Sequence, residues 1–361
     1  MGVIKLVVIA GFFCLSFVWA QTGANPQWDA MMEAGHWKRL RQLTDEKLKA
    51  NPNDPQARLW MSKIKSSFND HFGALAEAER AVALDQNNPG AHAQLAEASA
   101  YLADRTGGLS ALSHVRRMRK SLDASLALNP RNLDALLVQM MFSWKAPGIA
   151  GGDKKKAFRI ADQLVSNLPV WGNLAHARLL QEHGDDTTVE RWLRNAITAD
   201  PNFLLARISL ARFYCCTAKV KRLDKAEQAS LDVIRLDSSS AAGYGILAYV
   251  LASKQRWSEL ESTLARAEKA VPDDFAPYYL AATALLEIGR DFRRAEQYLN
   301  HYLSATPEGR QPTHAQTRLL LASLYAKEGR KADAVRELTI ALRLQPDLEA
   351  AKAELKRLKN S

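Results

Sequence analysis

The stretch AAGYGILAYVLASKQRWSELESTLARAEKAVPDD, residues 241–274, contains two apolar-patterned segments separated by a short polar turn. Apolar residues of the first segment recur every three or four positions, the spacing of one helix face: Tyr244, Leu247, Ala248 and Leu251. Those of the second segment follow the same rule: Trp257, Leu260, Leu264 and Ala267. The pattern stops at Pro272, because proline disfavours helix in the residue before it. The stretch therefore predicts two helices joined by a turn.

The same ending recurs along the chain. An apolar helical turn is closed by Asp or Asn, usually with Pro, in segments such as Leu84-Asp85, Leu128-Asn129-Pro130, Ala199-Asp200-Pro201 and Leu236-Asp237. Full copies of the pattern span 315–348 and 170–203, although His176 stands where leucine is usual. Small residues are predicted where the two helices cross, because larger ones would separate the backbones: Ala177, Ala211, Ala248 and Ala322.

These copies resemble the tetratricopeptide repeat, a helix–turn–helix unit of about 34 residues. The resemblance covers the chain from about Pro26 to Leu348, with units ending near residues 52, 85, 130, 169, 201, 237, 272, 307 and 346. It implies an all-α fold, an α-solenoid of about eight to nine repeats forming a right-handed superhelix with a groove lined by first helices. Residues 349–361 are predicted to form a C-terminal capping helix, since terminal solenoid helices need a polar outer side.

Residues 1–20 are predicted to be a secretory signal peptide. Lys5 precedes the apolar run Leu6–Trp19, and Ala20 is a small residue at the predicted cleavage site. The run is too short for a stable membrane span. We therefore expect an exported protein, periplasmic or secreted, whose repeat array occupies residues 21–348 and which keeps no membrane span after cleavage.

Two cysteines remain beyond this segment, the adjacent Cys215 and Cys216. Neighbouring side chains of an α-helix point about 100° apart and cannot bridge without breaking the helix. No CxxC motif or nearby His cluster accompanies them. We expect two unbridged side chains packed in or beside the core.

The formal net charge is +10. Such a balance favours an acidic partner, nucleic acid or an anionic membrane surface, although a solvated surface with excess Lys and Arg is the simpler interpretation. No block of like charge is long enough to resemble a nucleic-acid tail. Nucleic acid is therefore not expected as a partner.

Two departures from the repeat concentrate positive charge. The unit 89–130 is longer than the others, and its second helix is predicted to begin near Ser110. The next unit carries the Gly-rich segment 146–157, in which Asp153 is the predicted N-cap of a helix. The basic residues of this insert are Arg116, Arg117, Arg119, Lys120, Lys154, Lys155 and Lys156. They form either a contact for an acidic partner or a solvated helix face, and the Gly-rich loop either holds an anion or is a longer, rigid turn.

No catalytic pattern is present in the sequence. It contains no HExxH and no GxSxG, and no Gly-Lys-Ser/Thr follows the Gly-rich loop. We predict a non-catalytic protein without cofactor or metal.

The resemblance implies that a protein partner, as a peptide segment or a folded domain, binds in the groove. The distinctive residues at inward positions of the first helices are Lys63, Met141, Trp144, Trp171, Arg178, Arg212, Tyr249 and Tyr279. Trp144 and Trp171 could instead fill gaps beside the Gly-rich loop. The alternative function is recognition of an acidic polymer, such as a cell-wall or surface polysaccharide, through the basic central loops.

Overall fold

A computed structural model describes residues 25–106, 108–182 and 184–360, which form nineteen α-helices and no β-strand. The predicted signal peptide lies outside these residues. The chain divides into two compact units, which within the described residues are 25–206 and 207–360.

The first unit contains α1 (Pro26–Ala34), α2 (Trp37–Ala50), α3 (Pro55–Ser67), α4 (His71–Leu84), α5 (Pro89–Arg105), α6 (Gly108–Leu128), α7 (Leu133–Lys145), a 3₁₀ turn (Gly148–Ala150), α8 (Lys154–Asn167), α9 (Pro169–Leu180) and α10 (Asp186–Ala199). Successive helices pair as antiparallel hairpins, from α1 with α2 to α9 with α10, and the first helices α3, α5 and α7 also pack side by side. A cluster of Trp28, Trp37, Leu40, Trp60 and Ile64 forms the core at its N-terminal end.

The helix α11 (Leu204–Arg212) begins in the first unit and ends in the second, where a π-helical turn (Phe213–Thr217) continues it. The second unit then contains α12 (Leu223–Leu236), α13 (Ala241–Ser253), α14 (Trp257–Ala270), α15 (Ala276–Ile288), α16 (Phe292–Leu303), α17 (His314–Lys327), α18 (Lys331–Leu344) and α19 (Glu349–Asn360). The hairpins again join successive helices, up to α17 with α18. The predicted capping helix is confirmed as α19, which packs on α18 and buries Ala351 and Leu358.

Four-residue linkers between hairpins explain the recurring endings. In the first unit the side chains of Asn51, Asp85 and Asn129 each accept a hydrogen bond from the backbone N–H two residues later, at 3.1, 3.1 and 3.0 Å. This local bond stops the helix in a turn. The residue three positions on then caps the next helix, as Asp54 does by accepting from the Ala57 N–H at 2.8 Å. Each linker therefore ends one helix and starts the next.

The small residues predicted at helix crossings are buried. Ala211, Ala248 and Ala322 are fully buried, and Ala177 is 4% exposed. Their second-helix counterparts Ala196, Ala267 and Ala341 are also buried. Both sets fit the close helix packing that the repeat pattern predicts.

In the insert, α6 begins at Gly108, close to the predicted start near Ser110. Asp153 is confirmed as an N-cap and accepts from the Lys156 N–H at 2.9 Å.

The expectation of two unbridged cysteines is wrong, because Cys215 and Cys216 form a disulfide. The objection from helix geometry does not apply here, since the backbone leaves the regular α-helix at this point. The N–H of Ala218 donates to the carbonyl of Phe213 at 2.9 Å, five residues back instead of four. Both cysteines of the disulfide lie within this π-helical turn.

Candidate partner-binding surfaces

The eight residues predicted to face the groove all lie on first helices of hairpins: α3, α7, α9, α11, α13 and α15. Six of them are buried within the whole 361-residue chain: Lys63, Met141, Trp171, Arg178, Tyr249 and Tyr279. Trp144 and Arg212 are partly exposed. These residues lie on first helices, and both their orientation towards a groove and their binding of a partner stay predictions.

A row of buried polar residues crosses three first helices of the first unit. The Nζ of Lys63 on α3 pairs with Oδ2 of Asp134 on α7 at 3.0 Å, and the Lys63 side chain is 0% exposed. Gln94 and Glu97 are buried on α5, which packs between α3 and α7. Nothing in the local sequence pattern marks this pair, because its members are 71 residues apart.

An aromatic chain joins the hairpins α7–α8 and α9–α10. Trp144 contacts the edge of Phe158, with centroids 5.7 Å apart. Phe158 adjoins His176, whose ring stacks on Trp192 at 4.1 Å. His176 also bonds to Oδ1 of Asp162 at 2.9 Å. Burial lowers the pKa of His176, and the Asp162 carboxylate opposes this effect. The signal in the sequence was His176 at a position where leucine is usual, but its partners were not foreseen.

The neighbouring groove residues of the first unit are also held in place. Trp171 lies 5.3 Å from Phe203 in an edge-on contact. Arg178 donates to Oε1 of Gln181 at 3.2 Å. Trp171 therefore packs against the linker that follows the hairpin α9–α10.

In the second unit, Tyr249 of α13 is bonded to the Glu287 carboxylate and to the Lys221 ammonium. Burial raises the pKa of Tyr249, and the Glu287 charge adds to this effect. Tyr279 packs on Tyr302 with centroids 5.3 Å apart, and burial raises its pKa. Desolvation lowers the pKa of Arg212 to about 10. Ionisable groups thus occupy the first-helix positions of this unit as well.

Three residues of the basic insert contact neighbouring groups, namely Arg117, Lys154 and Arg119. Arg117 pairs with Glu79 at 2.9 Å, and Lys154 lies 4.8 Å from the Trp144 ring. Arg119 donates to the Ala150 carbonyl at 2.6 Å and lies 5.6 Å from the Phe142 ring, so it ties α6 to the Gly-rich loop. The remaining insert residues are exposed or partly exposed: Arg116, Lys120, Lys155 and Lys156.

Two other kinds of feature are absent from the described ranges, a membrane-spanning helix and a cluster of metal ligands. No helix there is long and apolar enough to cross a membrane. Nor do these residues contain a group of three or more His, Cys, Asp or Glu side chains suited to a metal ion.

Paired helices, buried crossing alanines and a final capping helix together define a helical-repeat solenoid. The chain is similar to tetratricopeptide repeat proteins. One such protein, from Parabacteroides merdae, has a crystal structure that matches with a TM-score of 0.47. Its sequence is 17% identical, and the match covers 74% of this chain and 98% of that protein's chain. A thermophilic one from Thermus thermophilus is 18% identical, with a TM-score of 0.39, covering 56% of this chain and 97% of that one.

A third similar structure is the APC/C hetero-tetramer Cut9-Hcn1, 15% identical with a TM-score of 0.43, covering 84% of this chain and 69% of that one. No protein-family model and no curated protein matches the sequence.

Proposed function

We propose that this chain is a non-catalytic scaffold or adaptor that binds a protein partner, as a peptide segment or a folded domain, across the first-helix faces of its hairpins. The observation that carries the proposal is the polar and aromatic character of those faces. In the first unit they hold the Lys63–Asp134 ion pair together with Gln94 and Glu97.

Packing alone does not account for such residues. Taking a charge out of water costs several kcal/mol, and replacing a buried ion pair by apolar side chains is often neutral or stabilising. A solenoid is stabilised by the contacts of each repeat with its neighbours. The aromatic rings and the Arg residues on these faces support recognition of another chain, since interfaces favour aromatic residues and Arg.

We also propose that the protein acts outside the cytoplasm. The apolar segment Leu6–Trp19 supports this proposal. The Cys215–Cys216 disulfide supports it too, because disulfides persist in oxidising compartments.

Site-specific photo-crosslinking in the native cell tests the binding face. A photoreactive residue in place of Trp144 or Ser209, partly exposed positions on the first helices α7 and α11, is expected to give an adduct with one discrete protein. The matched controls replace Asn195 and Arg343, exposed residues of the second helices α10 and α18. Adducts obtained only at the control positions, or at none of the four, would contradict the proposal.

A further inference from the structure

Two large aliphatic side chains are exposed to solvent at the start of α6, the longest helix in the described part of the chain. Leu109 is 85% exposed and Leu112 is 53% exposed, both on α6. The helix already buries an opposite face, through Met118, Leu122 and Ser125. Since a helix turns 100° per residue, Leu109, Leu112, Arg116 and Lys120 lie on the outer face. The outer face of α6 thus begins with leucines and continues with cations.

The Gly-rich loop adds a third aliphatic side chain to this region. Ile149 is fully exposed at the 3₁₀ turn, at 103%. Arg119 holds this turn against α6 by its bond to the Ala150 carbonyl. Leu112 lies seven residues before Arg119, about 10 Å along the helix axis. We call Leu109, Leu112 and Ile149, with the basic residues around them, the α6–loop patch.

The charge of the α6–loop patch is mainly positive. Residues 108–120 carry four Lys or Arg and no acidic residue, and residues 146–159 carry four against the single Asp153. Asp153 is occupied as a helix cap and pairs with Arg159 at 3.4 Å. Arg116, Lys120 and Lys155 are exposed. The patch therefore presents protruding aliphatic tips among cations.

We propose that the α6–loop patch docks on an anionic membrane surface. A bilayer interface takes up aliphatic tips at the headgroup boundary while its anionic headgroups attract Lys and Arg. A second copy of this chain would bring like charges together, which disfavours it as the occupant. A soluble acidic polymer would use the cations and leave the three aliphatic side chains in water. A lipid surface would contact both the aliphatic side chains and the cations.

Hydrogen–deuterium exchange of the full chain with phospholipid vesicles tests the proposal at the patch itself. Vesicles of phosphatidylglycerol and phosphatidylcholine in equal parts are expected to protect segments 108–120 and 146–159, and pure phosphatidylcholine vesicles are not. Combined Leu109→Ser, Leu112→Ser and Ile149→Ser replacement, or combined Arg116→Glu and Lys120→Glu replacement, is expected to weaken this protection at least about tenfold in lipid concentration.

The control variant carries Leu344→Ser and Lys356→Glu, which alter one exposed apolar and one exposed basic residue of α18 and α19 and are expected to change nothing. Circular dichroism confirms that each variant is folded. Polyglutamate in solution separates the two kinds of partner. The proposal would be overturned by two results together. Polyglutamate would protect the patch equally in the wild type and the triple-serine variant, and vesicles would protect that variant as well as the wild type. The patch would then be a site for acidic polymers. Absence of protection by anionic vesicles would overturn it as well.

Discussion

At the scale of single residues, the close contact between α8 and α9 depends on a glycine. A single residue, Leu168, separates α8 from α9, so the second helix turns back directly over the end of the first. A Cβ atom placed on Gly172 would lie 2.1 Å from the backbone nitrogen of Val165 and 2.4 Å from its Cα. Backbone atoms cannot move aside as a flexible side chain can.

We therefore expect Gly172→Ala to destabilise the protein by about 2 kcal/mol, the usual cost of overpacking. Urea unfolding followed by circular dichroism measures the change as a lower midpoint. Gly148→Ala is the matched control in the same unit, because a Cβ there meets nothing within 4 Å. Equal midpoints for the two variants would show that α8 and α9 separate at no cost.

At the scale of elements, the π-helical turn Phe213–Thr217 interrupts a repeat that is otherwise regular. Cys215 is fully buried and its sulfur lies in the bridge to Cys216. The turn passes into an extended segment, in which the N–H of Arg222 donates to the carbonyl of Tyr214 at 2.9 Å. The first helix of this hairpin therefore ends differently from that of α13, which remains α-helical up to Ser253.

We expect the Cys215–Cys216 bridge to be present in the isolated protein. Iodoacetamide added to the denatured, unreduced chain should then leave both residues unmodified, and both should react after treatment with a dithiol. Peptide mass spectrometry measures the two states, with Cys14 as an internal control where residues 1–20 are retained. Full labelling of both cysteines without reductant would show that they are two separate thiols and that the bridge is absent.

At the scale of the whole molecule, both units use the same hairpin construction. In α3–α4, Arg58 pairs with the buried Glu77 at 2.8 Å, and in α17–α18, Arg318 pairs with the buried Glu337 at 2.6 Å. The sequence separation is 19 residues in both cases. Each hairpin nevertheless has one apolar face that only the next hairpin can bury. The last hairpin therefore depends on α19 to bury this face.

Truncation after Leu348 is expected to lower the unfolding temperature by several degrees and to promote aggregation, because it uncovers the face of α18 that Ala351 and Leu358 protect. Differential scanning calorimetry and light scattering measure the two effects. Truncation after Leu358 serves as the control, since it keeps both buried residues. If truncation after Leu348 gives the same unfolding temperature and the same light scattering as truncation after Leu358, α18 needs no capping helix.

The sequence by itself determined the helices, the hairpins and the capping helix. Each of these features depends on residues close together in the chain: apolar spacing along one helix face, Asp and Asn side chains bonding two residues ahead, and a capping residue three positions on. Nine hairpins and a final helix in the described residues agree with the predicted array of about eight to nine repeats. The Asp153 cap was predictable for the same reason.

Only the tertiary structure decided the environment of the candidate binding residues. The burial of Lys63 depends on Asp134, 71 residues away, and the outward position of Ile149 depends on Arg119 holding the turn. The disulfide lies in a local departure from α-helix that the apolar pattern does not encode. Helical periodicity specifies which face a side chain occupies, but exposure and partners depend on contacts between segments distant in the chain, because packing brings those segments together only on folding.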